Sequence, residues 1–179
     1  MTIERLLCAL TLLAASIAAG ARELPPAVLA DAPGLNLHGS AELRHFGFKV
    51  YTARLWVGPT GYVPGQPFAL DIEYAMALDG ADLVATSVEE MRELGIRDEG
   101  VLARWARDMV AAFPDVKKGD RLVGLALPGI EARFYSGHGH LATIRDPAFV
   151  DAFFAIWLAA QTSAPEVRAG LLGTPPGAP

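Results

Sequence analysis

Residues 35–57, LNLHGSAELRHFGFKVYTARLWV, contain two β-type segments on either side of a short charged interruption. The second segment carries the tyrosine-bearing string KVYTA at residues 49–53. Two strand-forming runs joined by so short a break predict a β-hairpin. Because neighbouring residues of a strand point to opposite faces, a shift of one residue would move every side chain of this hairpin to the other face. The register of this hairpin therefore determines which of its side chains face a core and which face solvent.

The first 21 residues are predicted to be a secretory signal peptide. Arg5 precedes the apolar run of residues 6–19, and Ala19 and Ala21 fit an A-x-A cleavage site. The run is about 14 residues long and a membrane-spanning helix needs roughly 20, so an uncleaved anchor is the alternative. We therefore expect a periplasmic or secreted protein. The only cysteine, Cys8, lies within the run, so the mature chain is expected to lack a thiol nucleophile and a cysteine-ligated metal.

Residues 22–173 are expected to form one domain, followed by a loose tail over residues 174–179. A domain of this size can bury roughly two-thirds of the surface that its unfolded chain exposes. The formal net charge is −5, and no run of lysines or arginines occurs. This argues against nucleic-acid binding, because phosphate contacts need a basic patch. No segment after the predicted signal peptide is apolar and long enough to span a membrane.

The middle of the chain predicts one strand followed by two helices. Residues 68–76, FALDIEYAM, alternate between apolar and polar positions, which indicates a strand with one buried face. Residues 87–90, SVEE, fit a capping box, and apolar residues then recur at helical spacing, so this helix is predicted to end near Gly95. A second amphipathic helix is predicted over residues 98–112.

The last third of the chain predicts three short strands and two helices. Apolar segments over residues 121–127, 132–135 and 140–144 are separated by turn-forming pairs. Asp146 can cap a third helix with Pro147 at its first position, and a short helix is predicted over residues 164–172. Strands, two helices, strands and a helix in this order predict an α+β fold, with an antiparallel sheet and helices layered on one face.

A hairpin and five later segments are similar to the chalcone isomerase-like family. The hairpin resembles the family pattern L-x-L-x-G-x-G, a basic residue, a short turn and K-V-Y-x-A-x-L-Y/W. The later segments are KGD, SG, DPAF, IWL and LLG, at residues 118–120, 136–137, 146–149, 156–158 and 171–173. The resemblance covers residues 35–173 and implies the open-faced β-sandwich of the chalcone isomerases. It is greatest to the secreted bacterial branch.

The resemblance also implies where a catalytic cation would lie. In the plant enzymes the arginine of this hairpin holds the substrate oxyanion, and charge stabilisation is usually the largest catalytic contribution. Arg44 is the candidate in this chain, although many family members place the arginine at the position that is Leu43 here. Arg44 is therefore predicted to be either a catalytic or ligand-binding cation, or a solvated residue at the end of the hairpin.

Three further residues are predicted to contact a ligand. Tyr51 can hydrogen-bond a carboxylate or carbonyl, with a core tyrosine as the alternative. Arg97 can act as an anion clamp, or it is a solvated residue before a helix. The enzymes carry a catalytic tyrosine in that loop, and this chain has none there. Ile156 corresponds to the position at which the enzymes carry a specificity-determining hydroxyl.

Two other features leave alternatives open. Arg54 either pairs with an acid such as Glu73 or points into a ligand pocket. His138 and His140 would share one face of a strand and could hold zinc or copper, but the glycines beside them favour a flexible hairpin tip. We expect no metal and no cofactor.

These residues together predict a secreted chalcone isomerase-like protein that is non-catalytic. It is expected to bind a small amphipathic or acyl ligand, fatty-acid or polyphenol-like, beside the core hairpin, with Arg44, Arg97 and Tyr51 at the polar head. One alternative is an intramolecular lyase or isomerase that uses Arg44 to stabilise an oxyanion. The other is a protein-interaction module whose sandwich is filled by side chains in place of a cleft.

Overall fold

A computed structural model describes residues 23–174, which form a six-stranded antiparallel sheet and five helices. The sheet is a meander in which each strand pairs with the next along the chain. Its strands are β1 Asn36–His45, β2 Phe48–Val57, β3 Phe68–Tyr74, β4 Arg121–Leu127, β5 Glu131–Ser136 and β6 Gly139–Ile144. The predicted signal peptide, residues 1–21, lies outside the described residues, as do residues 175–179 of the predicted tail.

The two faces of the sheet carry different side chains. In β3, Phe68, Leu70, Ile72 and Tyr74 join the main hydrophobic core, while Asp71 lies on the other face. The alternation follows from the period of two in a strand. Four helices cover the apolar face: α2 Gly80–Glu93, α3 Glu99–Val110, α4 Pro147–Leu158 and α5 Pro165–Leu172. The predicted fold class is therefore confirmed.

Three of the helix ends carry capping groups, of which the cap at Asp146 was predicted from the sequence. The carboxylate of Asp98 accepts hydrogen bonds from the N–H groups of Gly100 and Val101, and so caps α3. Asp146 caps α4, where Pro147 occupies the first position. Helix α5 ends at Gly173, which has a φ of 66°. Side-chain acceptors at the start and a left-handed glycine at the end satisfy backbone groups that the helix leaves unpaired.

The predicted start of α2 was wrong. The helix begins at Gly80, so residues 87–90 lie inside it. There the Ser87 hydroxyl donates a hydrogen bond to the carbonyl of Leu83, at 2.8 Å. A serine inside a helix satisfies its hydroxyl in this way, and the sequence S-x-x-E alone cannot separate that case from a capping box. The predicted end was correct, because Gly95 follows the helix with a φ of 107°.

A short first helix, α1 Pro26–Asp31, was not predicted and lies on the other face of the sheet. Val28 of α1 is fully buried, and it packs in a second hydrophobic cluster with Leu24, Trp56, Val123 and Leu125. Within residues 23–174, no helix has the length and apolar character needed to cross a bilayer.

Helix α5 crosses β1 at a backbone-to-backbone contact. A Cβ atom added to Gly39 would lie 2.3 Å from the carbonyl oxygen of Leu171 and 2.4 Å from that of Gly170. A Cβ atom on Gly170 would lie 2.8 Å from the Cβ of Ala41. Glycine at positions 39 and 170 therefore allows the close approach that layers α5 on the sheet.

Gly39→Ala should destabilise the protein by about 1–3 kcal/mol, because the new methyl group overlaps backbone atoms that cannot rotate away. Gly58→Ala is the matched control, since nothing lies within 4 Å of a Cβ at that position, and it should cost no stability. Urea unfolding of both variants measures the difference. Equal stability of the two variants would show that α5 moves freely away from β1.

Candidate functional site

A cavity of about 590 Å³ lies between the apolar face of the sheet and helices α2 and α4. This volume falls within the range of small-molecule sites in proteins. Strands β1 to β5 and the segment just before α5 also contribute lining residues. The cavity therefore occupies the place where the helical layer meets the core hairpin.

The floor of the cavity is apolar and the mouth is exposed. Buried side chains from the sheet and α4 form the floor: Leu70, Ile72, Leu122, Phe134, Phe153 and Phe154. Lining residues that remain solvent-exposed mark the mouth: His45, Met76, Asp82, Thr86 and Ser163. Such a site removes an apolar molecule from water at one end and leaves its other end near solvent.

Tyr51 places a hydroxyl group in the cavity wall. Its oxygen accepts a hydrogen bond of 2.9 Å from Nε1 of Trp157, and both residues line the cavity. Burial raises the pKa of Tyr51 to about 12, so the phenol is protonated at neutral pH and its O–H remains available as a donor. The ring of Tyr74 lies edge-on to Tyr51, and burial likewise raises the pKa of Tyr74.

The charged groups of the cavity are acidic. Glu90 lines it and accepts a hydrogen bond of 2.7 Å from the Ser163 hydroxyl, while Asp82 lies at the mouth. The charge of Glu90 adds to the effect of burial on the pKa of Tyr51. Among the lining residues of the described chain there is no lysine or arginine, and the one histidine is His45. A ligand with a carboxylate head would therefore meet negative charge without a strong cationic partner.

The predicted ligand-contacting residues separate into two pairs. Tyr51 and Ile156 line the cavity, whereas Arg44 and Arg97 do not. The side chain of Arg44 is 58% exposed and pairs with Glu42 at 2.7 Å. Leu43, its neighbour in β1, lines the cavity instead. Alternation along β1 thus puts this chain's leucine on the cavity face and its arginine outside.

Among the polar lining residues that the sequence analysis did not identify, Glu90, Ser163 and Trp157 form side-chain hydrogen bonds in the cavity wall. Glu90 and Ser163 are 73 residues apart and meet only because α2 lies beside the segment before α5. Trp157 had a partial signal in the sequence, because it lies in the family motif IWL at residues 156–158. Its bond to Tyr51 joins residues 106 positions apart and leaves no trace in local spacing.

A buried ionic cluster occupies the other face of the sheet. Asp71 is fully buried and receives two hydrogen bonds from Arg121, at 2.9 and 2.6 Å. Arg54 donates to Glu73 at 3.1 Å, so the structure shows the first of the two alternatives for Arg54, pairing with an acid. Because these side chains point away from the cavity, the cluster joins β2, β3 and β4 and does not contact a cavity ligand.

The two histidines of the H-G-H sequence lie around the turn between β5 and β6. His138 is exposed, and a ring nitrogen of His140 is hydrogen-bonded to the Thr143 hydroxyl at 2.8 Å. Within residues 23–174, no three His, Cys, Asp or Glu side chains come together in a way that could hold a metal ion.

Tyr51→Phe should destabilise the protein by about 1–3 kcal/mol, because it leaves the buried indole N–H of Trp157 without an acceptor. Tyr62→Phe serves as control, since the Tyr62 hydroxyl forms no hydrogen bond with any described residue, and its effect should stay within about 0.5 kcal/mol. Chemical denaturation measures both. If the two variants lose the same stability, the Tyr51–Trp157 bond contributes nothing.

Comparison with known proteins gives three results. The sequence profile of the family described as chalcone isomerase-like matches residues 17–173. An uncharacterized protein of Haemophilus influenzae is 31% identical over 136 residues, covering 75% of this chain and 66% of that protein, so this chain spans just under two thirds of its length. The crystal structure of a fatty-acid binding protein of Arabidopsis thaliana has a TM-score of 0.55 at 9% identity, covering 78% of this chain and 84% of that one. The structural match shows the fold, and the profile match shows that the chain belongs to the chalcone isomerase-like family.

Proposed function

We propose that this protein is a non-catalytic binding protein that holds one small lipid-like molecule, with an uncharged polar end, in the cavity beside the core hairpin. The observation that carries the proposal is the cavity of about 590 Å³, whose floor is apolar and whose polar lining is mainly hydroxyls and carboxylates. The Arabidopsis thaliana neighbour, which shares the fold, is a fatty-acid binding protein. At 9% identity this neighbour supports only the fold, so the ligand class is argued from the cavity.

Tyr51 and Glu90 determine which polar head group of a ligand fits the cavity. The protonated phenol of Tyr51 can donate a hydrogen bond, and the Glu90 carboxylate can accept one beyond that from Ser163. An alcohol or an ester-linked glycerol supplies both an acceptor and a donor. A carboxylate supplies acceptors only and is repelled by Glu90. An uncharged hydroxyl head therefore fits this lining better than a fatty-acid anion.

The arrangement supports binding over catalysis. Chalcone cyclisation requires a cation at the developing enolate, and preorganised charge in a dry site is usually the largest catalytic contribution. Arg44 is the candidate cation, and its side chain pairs with Glu42 outside the cavity. The presence of a cavity also favours a ligand-binding role over a protein-interaction module, for which a filled core was expected.

We further propose that the protein acts in the periplasm or outside the cell. The support is the amino-terminal sequence, in which Arg5 precedes an apolar run and Ala19 and Ala21 fit a cleavage site. There it would carry or sequester its ligand after export.

A long-chain fatty alcohol should bind roughly tenfold more tightly than the fatty acid of equal chain length at about pH 8, because the acid is then ionised. Lowering the pH to about 5 should strengthen binding of the acid, which begins to gain its proton, and should leave the alcohol unchanged. Isothermal titration calorimetry with each lipid measures the two affinities. Glu90→Gln should narrow the difference, and Glu89→Gln, an exposed neighbour that pairs with Arg92, should not.

These outcomes separate the two parts of the proposal. If neither lipid binds, the ligand-binding function is wrong. If both bind equally well at high pH and Glu90→Gln changes nothing, the cavity binds lipids but does not select an uncharged head.

Leu43→Arg should reverse the preference at about pH 8, because it adds a cation to the cavity wall that can pair with a carboxylate. Leu37→Arg is the matched control, since it adds the same charge to β1 at a residue that does not line the cavity. The ratio of the two dissociation constants is the measurement. A preference for the acid in both variants would mean that total charge, and not position, governs selection.

A further inference from the structure

The tip of the β1–β2 hairpin exposes two phenylalanines. Phe46 is 88% exposed and Phe48 is 76% exposed, the two highest values among the large apolar side chains of residues 23–174. His45 pairs with Phe48 across the strands, so Phe46 and Gly47 alone form the turn. Two large and highly exposed aromatic side chains at one hairpin tip mark a candidate contact surface.

The backbone at this tip is unfavourable for the residue that occupies it. Phe46 has a φ of 47° and Gly47 a φ of 82°, and Phe46 is the single non-glycine residue with positive φ in the described chain. A two-residue turn with both φ values positive favours Asn-Gly or Asp-Gly. A bulky residue in the left-handed region is an outlier that costs stability. Fold stability therefore does not explain a phenylalanine at position 46.

The tip adjoins the mouth of the cavity. His45 lines the mouth, and its ring centroid lies 4.2 Å from that of Phe46. Arg44 and Lys49 flank the turn, and both donate to the single carboxylate of Glu42. These three side chains carry one net positive charge, although the whole protein has a formal net charge of −5. The tip is thus apolar at its end and cationic around its base.

We propose that Phe46 and Phe48 insert into the surface of an anionic phospholipid bilayer and hold the cavity mouth against it. Aromatic side chains above a cationic collar match the interface between acyl chains and anionic headgroups. Two side chains on a protruding turn are too small a patch for a stable protein interface, which typically buries at least about 1,000 Å². The proposal of bilayer docking is argued from the tip alone. The purpose of docking, which is uptake or release of a lipid, rests on the proposed function.

The test is sedimentation of the full chain with vesicles of phosphatidylglycerol and phosphatidylcholine. Phe46→Asn places the residue that the turn favours, so it should maintain or raise the melting temperature while lowering the vesicle partition coefficient about tenfold. Phe48→Ser should also lower the vesicle partition coefficient about tenfold. Ile130→Asn is the control, because Ile130 is 63% exposed and lies in the turn between β4 and β5, at the opposite end of the sheet.

A local measurement removes any contribution of residues 1–22 to vesicle binding. Phe48→Trp should add tryptophan emission that brominated phosphatidylcholine quenches, above the level of the wild-type chain. Equal partition of wild type, Phe46→Asn and Phe48→Ser, without quenching of the added tryptophan, would overturn the proposal. So would a dimer that dissociates in the same variants without vesicle binding, since the tip would then contact a second copy.

Discussion

Strands β2 to β5 send alternate side chains to opposite faces of one sheet, and the two faces are chemically unlike. One face carries aliphatic and aromatic side chains beneath four helices. The other carries Asp71, with which both Arg54 and Arg121 form ion pairs, beside the smaller hydrophobic cluster under α1. Because the arginines of these strands belong to the second face, the cavity on the first face has no guanidinium from the sheet. The acidic lining of the cavity comes instead from Asp82 and Glu90 of α2.

Local patterns in the sequence were sufficient for most of the fold. The hairpin and the four later strands were placed correctly because apolar residues at period two and turn-forming pairs act over a few residues. The start of α2 was misplaced because Ser87 has the residue types of a cap and the environment of a helix interior. Helix α1 was missed because it has only six residues, and its burial depends on Trp56 and Val123, which are distant in sequence.

The sequence predicted the site less well than it predicted the fold. The family resemblance indicated Arg44 as the cation of the site. In the structure Leu43 lines the cavity, and Arg44 does not. The polar wall depends on pairs such as Tyr51 with Trp157 and Glu90 with Ser163, which only tertiary packing brings together. Which of two neighbouring strand residues faces the cavity can therefore decide whether a ligand meets a positive charge there.

Helix α1 has a practical consequence for anyone who prepares this protein. It covers Trp56, Val123 and Leu125, and its Asp31 is held by Arg133 at 2.9 Å. A recombinant form trimmed to the first strand would keep every residue of the cavity, yet it would expose an aromatic and aliphatic surface to water. Such a form would tend to aggregate for reasons unrelated to its ligand. The amino-terminal boundary should therefore be set ahead of Leu24.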